Sequence, residues 1–259
     1  MKEELKGRVA IVTGAGSARG IGIATAKIFA REGATVVLSD IDSAGVSASL
    51  KVLQDLGCPN LGITADLSSK PDVDNLFSKT VATFGRVDIL VNNAGITQSV
   101  LTAAMSEAEW DCMVRVNLRS QFLCTRAAIP LMSKQKWGRI VCLSSMAGRG
   151  GPSFGAAHYA ATKAGIIGFA QYVAREVAAD GITVNVVAPG GIDTDMLRGK
   201  VRWDGKTQEE LRANRSQNIP MKRMGAAEEV AEVIAFLSSD RSSFVTGVVV
   251  DINGGLHMC

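Results

Sequence analysis

Seven short apolar runs recur along the 259-residue chain, and stretches with helical spacing separate them. The runs are rich in valine and isoleucine and alternate little with polar residues, as in strands that are buried on both faces. They cover 9–13, 35–39, 61–65, 87–92, 138–145, 182–188 and 247–252. Strands that need cover on both faces predict a parallel sheet between two layers of helices.

The intervening segments carry apolar residues on one helical face. Ile21, Ala24 and Ile28 share such a face, and Gly33 marks the predicted end of that helix. Two further stripes have the same spacing, Trp110, Met113, Val114 and Leu118, and Val230, Val233, Ile234 and Leu237. With no linker and no repeat, we predict one α/β domain over 1–259, a doubly wound parallel seven-stranded sheet with right-handed crossovers.

Composition narrows the class of protein. Hydrophobic residues make up 47% of the chain, enough for a large core, and the net charge of +3 does not indicate nucleic acid or a membrane surface as partner. The five cysteines form no CxxC pair, and the two histidines lack ligand spacing, so we predict reduced thiols and no metal site. The N-terminal residues do not resemble a signal peptide or a membrane span, and we expect a cytoplasmic protein.

One segment, 195–224, is long, polar and charged. Thr207 and Glu210 have capping-box spacing for a short helix there. Open α/β sheets bind ligands beside the carboxyl ends of their strands, and long insertions at that edge often cover the ligand. We predict a substrate lid; the alternative is a solvated surface excursion.

The first apolar run leads into a glycine-rich turn and then a helix, in the sequence VAIVTGAGSARGIG. Gly14 permits a tight turn, while Gly20 and Gly22 let backbone approach a pyrophosphate that free N–H groups of the helix would bind. This context predicts a Rossmann-type dinucleotide site. Asp40 ends the second run, where its carboxylate can bind ribose hydroxyls and repel a 2′-phosphate, which favours NAD over NADP. Arg19 could pair with a phosphate instead.

Tyr159 and Lys163 lie four residues apart and therefore share a helix face. A cation about 4 Å from the phenol, at an effective dielectric of about 20, is worth about 4 kcal/mol, or nearly three pKa units. Such a shift would bring the tyrosine, whose ordinary pKa is about 10, into range for acid–base catalysis.

Together these motifs resemble the short-chain dehydrogenase/reductase family over nearly the whole chain. The matching stretches are ADL at 65–67, NNAG at 92–95, PGGIDT at 189–194 and the closing TGVVVDINGG. The family's glycine motif has three residues between its first two glycines, whereas this chain has five. We therefore expect a longer turn that bulges outward near Ser17 and Ala18.

The resemblance implies a catalytic tetrad of Asn117, Ser145, Tyr159 and Lys163. Ser144 competes with Ser145, but the family's S-x-x-G register, read here from Ser145 to Gly148, selects Ser145. Tyr159 would exchange the substrate proton, Ser145 would bind the same oxygen, Lys163 would bind the nicotinamide ribose, and Asn117 would anchor a water beside Lys163.

The resemblance also implies ligand contacts. Asp66 would meet the adenine, Asn92 and Gly95 would support the sheet beside the coenzyme, and Ile192 and Thr194 would hold the carboxamide. The full predicted coenzyme set is Gly14, Ser17, Arg19, Gly20, Ile21, Gly22, Asp40, Ile41, Asp66, Leu67, Asn93, Ala94, Gly95, Tyr159, Lys163, Pro189, Gly190, Ile192 and Thr194. The predicted substrate set is Ser145, Met146, Tyr159, Gly190, Met196 and Leu197.

The implied reaction is hydride transfer between NAD(H) and the carbon of a small alcohol or ketone. Two alternatives stay open, an NADPH-dependent 3-oxoacyl-acyl-carrier-protein reductase and a non-catalytic dinucleotide-binding protein on the same fold. The resemblance further implies a homotetramer formed through the long helices and the last strand.

Overall fold

The computed structural model describes residues 3–151, 156–198 and 214–258. Its strands form one parallel sheet of seven in the order β3-β2-β1-β4-β5-β6-β7. They are β1 Val9–Thr13, β2 Thr35–Asp40, β3 Asn60–Thr64, β4 Ile89–Asn92, β5 Gly138–Leu143, β6 Ile182–Pro189 and β7 Val249–Ile252. The predicted doubly wound α/β fold is confirmed, and each strand lies within two residues of its predicted bounds.

The strand order reverses beside β1, which pairs with β2 on one side and β4 on the other. Ala10 lies opposite Val36 of β2 and Ile89 of β4. In doubly wound sheets the loops diverge at such a reversal and leave a crevice outside the carboxyl ends of the strands. The glycine turn after β1 and the loop after β4 therefore border the predicted ligand cleft.

Helices cover both faces of the sheet. They are α1 Ile21–Arg31, α2 Ser43–Asp55, α3 Lys70–Phe84, α4 Glu107–Met113, α5 Ser120–Gln135, α6 Ala157–Val177, α7 Asp195–Arg198 and α8 Ala227–Ser238. Residues 214–218 are also helical. The predicted end of α1 is close to the observed one, since Gly33 with φ of 84° follows the last turn.

The core has two halves because successive strand residues point to opposite faces. Val12 of β1 packs with Phe29 of α1 and Ile234 of α8 on one face. Ile11 packs with Leu76 of α3 and Ile166 of α6 on the other. Full burial of one such side chain contributes about 1.5–3 kcal/mol, so continuous apolar strands stabilise both layers at once.

One region differs from the sequence-based expectation, and another lies partly outside the described residues. The helix around Asn117 widens into a π-helical segment, Val114–Arg119, between α4 and α5. In the polar segment 195–224, only the short α7 and residues from 214 onward are described, so the capping box of Thr207 and Glu210 lies outside the described residues. Within the described ranges, no helix is both long and apolar enough to cross a membrane.

Candidate active site and coenzyme cleft

The glycine turn is built by close backbone approaches. Gly14 has a φ of 65°, and a Cβ there would lie 2.6 Å from the Cα of Ala94. A Cβ on Gly22 would lie 2.6 Å from the backbone oxygen of Gly14. Any larger residue at either position would push apart the turn, α1 and the loop after β4, so both positions require glycine.

The first turn of α1 is open to an anion. Its N-cap, Gly20, has no side chain that could bond the free N–H groups, and the first turn carries no acidic residue. Free N–H groups and the helix dipole both favour a phosphate at such an end. The turn therefore fits the pyrophosphate of a dinucleotide, which Ile21 and its neighbours would hold.

The turn is fastened to the end of β4 by Asn93 and Thr13. The Asn93 amide donates to the backbone oxygens of Thr13 at 2.7 Å and of Gly14 at 2.8 Å. The Thr13 hydroxyl accepts from the N–H groups of Asn93 and Ala94. These bonds hold the predicted coenzyme residues Asn93 and Ala94 against the turn, while the buried Asn92 bonds Thr125 inside the protein.

The lengthened turn makes a contact across the cleft. Ala18 and Arg19 are exposed and Ser17 is half-buried. The Ser17 hydroxyl donates to a carboxylate oxygen of Asp195 at 2.9 Å, and the Arg19 N–H donates to the same oxygen at 3.1 Å. Ser17 and Arg19 were predicted from the sequence as coenzyme contacts, but Asp195 was not singled out.

Asp40 is held at the tip of β2 by backbone donors. Its carboxylate accepts from the N–H of Gly16 at 2.8 Å and from the N–H of Asp42 at 3.1 Å. A Cβ on Gly16 would lie 2.9 Å from the Asp40 carboxyl carbon, so Gly16 permits this approach. The carboxylate is thus fixed beside the glycine turn, and Ile41 next to it is 70% exposed.

Asp66 follows β3 beside the buried Leu67, on the same edge of the sheet. One carboxylate oxygen accepts from the Ser68 hydroxyl at 2.7 Å, and Arg115 lies 3.8 Å from the other. Burial acts to raise the pKa of the Asp66 carboxyl, but the Ser68 hydrogen bonds and the Arg115 charge outweigh it and lower the pKa. Asp66 is therefore a charged acceptor at the predicted adenine end.

The structure brings Ser145 and Tyr159 together. Ser145 follows β5, and its hydroxyl lies beside the Tyr159 phenol at the start of α6. Burial raises the pKa of Tyr159, and the neighbouring Ser145 hydroxyl acts in the opposite direction. Sequence reasoning expected the lysine to lower this pKa. In the protein alone burial has the larger effect, and the Lys163 Nζ lies 5.6 Å from the ring centre.

Ser144 points the other way, as strand alternation requires. Its hydroxyl donates to the backbone oxygen of Lys163 at 2.7 Å within the core. A Cβ on Gly148 would lie 2.5 Å from the Lys163 carbonyl carbon, so the turn after Ser145 packs directly on α6. This contact gives a physical reason for the Ser145-to-Gly148 register.

Lys163 is buried beneath Tyr159. Its Nζ donates to the backbone oxygen of Leu143 at 2.9 Å. Burial lowers the pKa of Lys163 to about 8, although nearby Cys142 acts to raise it. The ammonium therefore lies close to its titration range at neutral pH, in a position to influence both the phenol and a bound ribose.

Asn117 is hydrogen-bonded to the loop after β4. Its amide bonds both backbone groups of Ile96, accepting from the N–H at 2.8 Å and donating to the oxygen at 3.0 Å. A Cβ on Gly95 would lie 3.0 Å from Asn117 and 3.6 Å from the Lys163 Nζ. The side chain therefore ties the π segment to the loop after β4 and lies close to Lys163.

The loop after β6 completes the cleft. A Cβ on Gly190 would lie 2.6 Å from Asn253 and 3.3 Å from the sulfur of Met146, so Gly190 and Met146 are neighbours beside Ser145. Ile192 and Thr194 are buried, and Met196 is 45% exposed. Pro189 ends β6. The side chain of Leu197, another predicted substrate contact, lies outside the described residues.

Residues 14–257 match a family model described as Enoyl-(Acyl carrier protein) reductase. An uncharacterized short-chain type dehydrogenase/reductase of Sinorhizobium fredii is 41% identical over 254 residues, which cover 97% of this chain and 98% of that protein. The 3-oxoacyl-(acyl-carrier-protein) reductase FabG of Thermotoga maritima is 42% identical over 253 residues, with 97% and 98% covered.

Among solved structures, levodione reductase superposes with a TM-score of 0.93 at 36% identity, covering 97% of this chain and 98% of its own. The chain belongs to the short-chain dehydrogenase/reductase family. That membership makes it an oxidoreductase of CH–OH groups and implies a nicotinamide dinucleotide coenzyme.

Proposed function

We propose that this protein transfers a hydride between NAD(H) and the carbinol or carbonyl carbon of a small alcohol or ketone. The observation that carries the proposal is that the Ser145 hydroxyl, the Tyr159 phenol and the buried Lys163 ammonium lie together, at the same sheet edge as the glycine turn. The bound coenzyme would supply or accept the hydride.

The proton steps fall to the protein's own groups. Tyr159 takes the proton from an alcohol or gives one to a ketone, and Ser145 donates to the same oxygen and stabilises its developing charge. Lys163 lowers the pKa of Tyr159 once the coenzyme has closed the site, because a nearby cation favours the phenolate. Asn117 holds the Ile96 loop beside that ammonium.

The proposed coenzyme is NAD. The Asp40 carboxylate, fixed by two backbone N–H groups, is available to ribose hydroxyls and would repel a 2′-phosphate. The first turn of α1 would take the pyrophosphate, Asp66 the adenine, and Lys163 the nicotinamide ribose. The remaining contacts would come from Gly14, Ser17, Arg19, Gly20, Ile21, Gly22, Ile41, Leu67, Asn93, Ala94, Gly95, Tyr159, Pro189, Gly190, Ile192 and Thr194.

The substrate would lie between Tyr159 and the loop after β6, against Ser145, Met146, Gly190, Met196 and Leu197, under a lid at 195–224. Methionines at such a site favour a partly apolar ligand. The names of the relatives point to different carbonyl compounds, an oxoacyl carrier protein for one and levodione for another. We therefore assign the substrate only as a small alcohol or ketone.

We further propose a cytoplasmic homotetramer. Aromatic side chains are exposed on the long helices and before the last strand: Phe122 is 41% exposed, Tyr172 68% and Phe244 fully. Phe122 packs edge-to-face on Phe169, which joins α5 and α6 into one apolar surface. Contact between such surfaces on neighbouring copies would bury them.

The test is an absorbance assay of NADH and NADPH turnover with a panel of ketones and alcohols. The parent should prefer NAD(H), and Tyr159→Phe should lower kcat by about 10²–10⁴-fold. Tyr172→Phe removes the chain's other phenol hydroxyl but keeps its aromatic ring for the proposed subunit contact, so it is the matched control and should keep full activity. Asp40→Ala should improve use of NADP(H) relative to NAD(H).

Three results would count against the proposal. Preference of the parent for NADPH with an oxoacyl carrier protein would favour the reductase alternative. Equal activity of Tyr159→Phe and the parent would remove the mechanism. Coenzyme binding without turnover of any substrate in the panel would favour a non-catalytic dinucleotide-binding protein.

A further inference from the structure

Asp195 joins two loops that are far apart in the chain. Ser17 and Arg19 belong to the turn after β1, and Asp195 begins α7 after β6. Both hydrogen bonds go to one carboxylate oxygen, and the Arg19 guanidinium lies 3.4 Å from the other oxygen. We call this set of contacts the Asp195 clasp.

The sheet order gives the clasp its significance. β1 and β6 are not neighbours, because β4 and β5 lie between them. Three strand spacings of about 4.8 Å separate β1 from β6 by about 14 Å. A contact between the loops that follow them must therefore pass over the carboxyl ends of β4 and β5, where Asn93 and Ser145 lie.

The clasp depends on the unusual length of the glycine turn. Ser17 and Arg19 fall in the stretch that holds five residues between Gly14 and Gly20 instead of three. The longer turn reaches the loop after β6. The Ser17 hydroxyl and the Arg19 N–H of this turn donate the two hydrogen bonds that Asp195 accepts. The added length thus has a structural role in this chain.

We propose that the Asp195 clasp closes over the bound coenzyme and controls how fast it enters and leaves. The inference rests on the proposed function, because it requires the dinucleotide to lie between the glycine turn and the loop after β6. Asp195 is a positioning residue here: it holds the turn and does not touch the reacting atoms. Coenzyme passes only while the two hydrogen bonds are broken.

A clasp has a kinetic signature that a direct ligand contact lacks. A direct contact stabilises the bound state, so its loss changes mainly the dissociation rate. A closed clasp slows both the entry and the exit of the coenzyme, so its loss raises the association and dissociation rate constants together. The equilibrium constant then changes less than either rate.

The experiment is stopped-flow fluorescence of NADH binding to the full chain, with displacement of NADH by excess NAD. In Asp195→Ala both rate constants should rise by about three- to tenfold. Asp195→Asn keeps a side-chain oxygen that can accept the hydrogen bonds from Ser17 and Arg19, so its rate constants should rise less than those of Asp195→Ala.

Asp74→Ala is the matched control, because it removes another exposed carboxylate in an ion pair, with Lys70 on α3. Its rate constants should equal those of the parent. Three results in Asp195→Ala would each overturn the clasp: unchanged rate constants, a rise in the dissociation rate constant alone, or slower dissociation. Absence of NADH binding to the parent would instead count against the proposed function.

Discussion

The Lys163 ammonium donates a hydrogen bond to the backbone oxygen of Leu143 at 2.9 Å, at the last residue of β5. This bond only partly offsets the cost of burying the charge, because burial lowers the pKa of Lys163 from 10.5 to about 8. Between these two pH values the unfolded chain binds more protons than the folded one. Stability therefore rises with pH across that window and is lower at neutral pH.

Lys163→Met should therefore stabilise the protein while it abolishes turnover. We expect the free energy of unfolding at pH 7 to rise by about 1–2 kcal/mol, with the gain shrinking toward pH 10, where the parent lysine is mostly neutral. Urea denaturation at both pH values measures this effect. Lys79→Met on the exposed face of α3 should change little, and a clear loss of stability in Lys163→Met at pH 7 would contradict the argument.

Tyr159 should titrate above its ordinary range until coenzyme binds. The chain has two tyrosines, so Tyr172→Phe leaves Tyr159 as the only phenol that can be observed. Burial raises its pKa in the protein alone. Oxidised nicotinamide adds a positive charge and should lower that pKa. Ultraviolet absorbance of the phenolate during a pH titration checks both statements, and identical titrations with and without NAD would refute the second.

The two adjacent serines should separate catalysis from stability. Ser145→Ala removes the hydroxyl beside the Tyr159 phenol and should lower kcat about 10²-fold or more. It should change stability less than Ser144→Ala, because the hydrogen bond that Ser145 accepts from the Ala147 N–H is only partly buried. Ser144→Ala removes a buried hydrogen bond to the Lys163 carbonyl, which keeps its helical donor within α6, and should cost about 0.5–1.5 kcal/mol of stability while keeping most of the turnover. Steady-state kinetics and thermal unfolding of both variants measure these effects. A larger loss of kcat in Ser144→Ala than in Ser145→Ala would contradict the roles given to the two serines.

Two glycine-to-alanine substitutions, one in α6 and one beside it, should change the stability of the protein in opposite directions. Gly148→Ala places a methyl group 2.5 Å from the Lys163 backbone and should destabilise the protein by about 1–3 kcal/mol and reduce activity. At Gly168, within α6, a methyl group meets nothing within 4 Å, and Gly168→Ala should stabilise by about 0.4–1 kcal/mol. Thermal melts of both variants provide the test, and matching shifts would show that the close approach does not matter.

The layers of the fold could be predicted because burial on both faces leaves a direct trace in the chain. Ile11 and Val12 must both be apolar, since they point into different cores. Gly14 and Gly22 were equally accessible to sequence reasoning, because a strand, a turn and a helix surround them. Features of this kind depend on residues that are neighbours in the chain, so the sequence alone indicates them.

Contacts between residues that are far apart in the chain could not be predicted from the sequence in this way. Gly45 was not singled out, although a Cβ there would collide with the backbone oxygen of Gly16 in the turn. Asp195 looked like one charge among many in a polar stretch, because its partners lie 176 and 178 residues away. The π segment was also missed, since Val114–Arg119 keeps the apolar spacing of an ordinary helix.

The paired bonds between Asn117 and Ile96 have a consequence for hydrogen–deuterium exchange. The Ile96 side chain is 40% exposed, and a surface loop of this kind would normally exchange its amide protons quickly. Here the Ile96 N–H is held by a fully buried amide, as if the loop were paired with a further strand. Its proton should therefore exchange at the slow pace of the helical segment that carries Asn117.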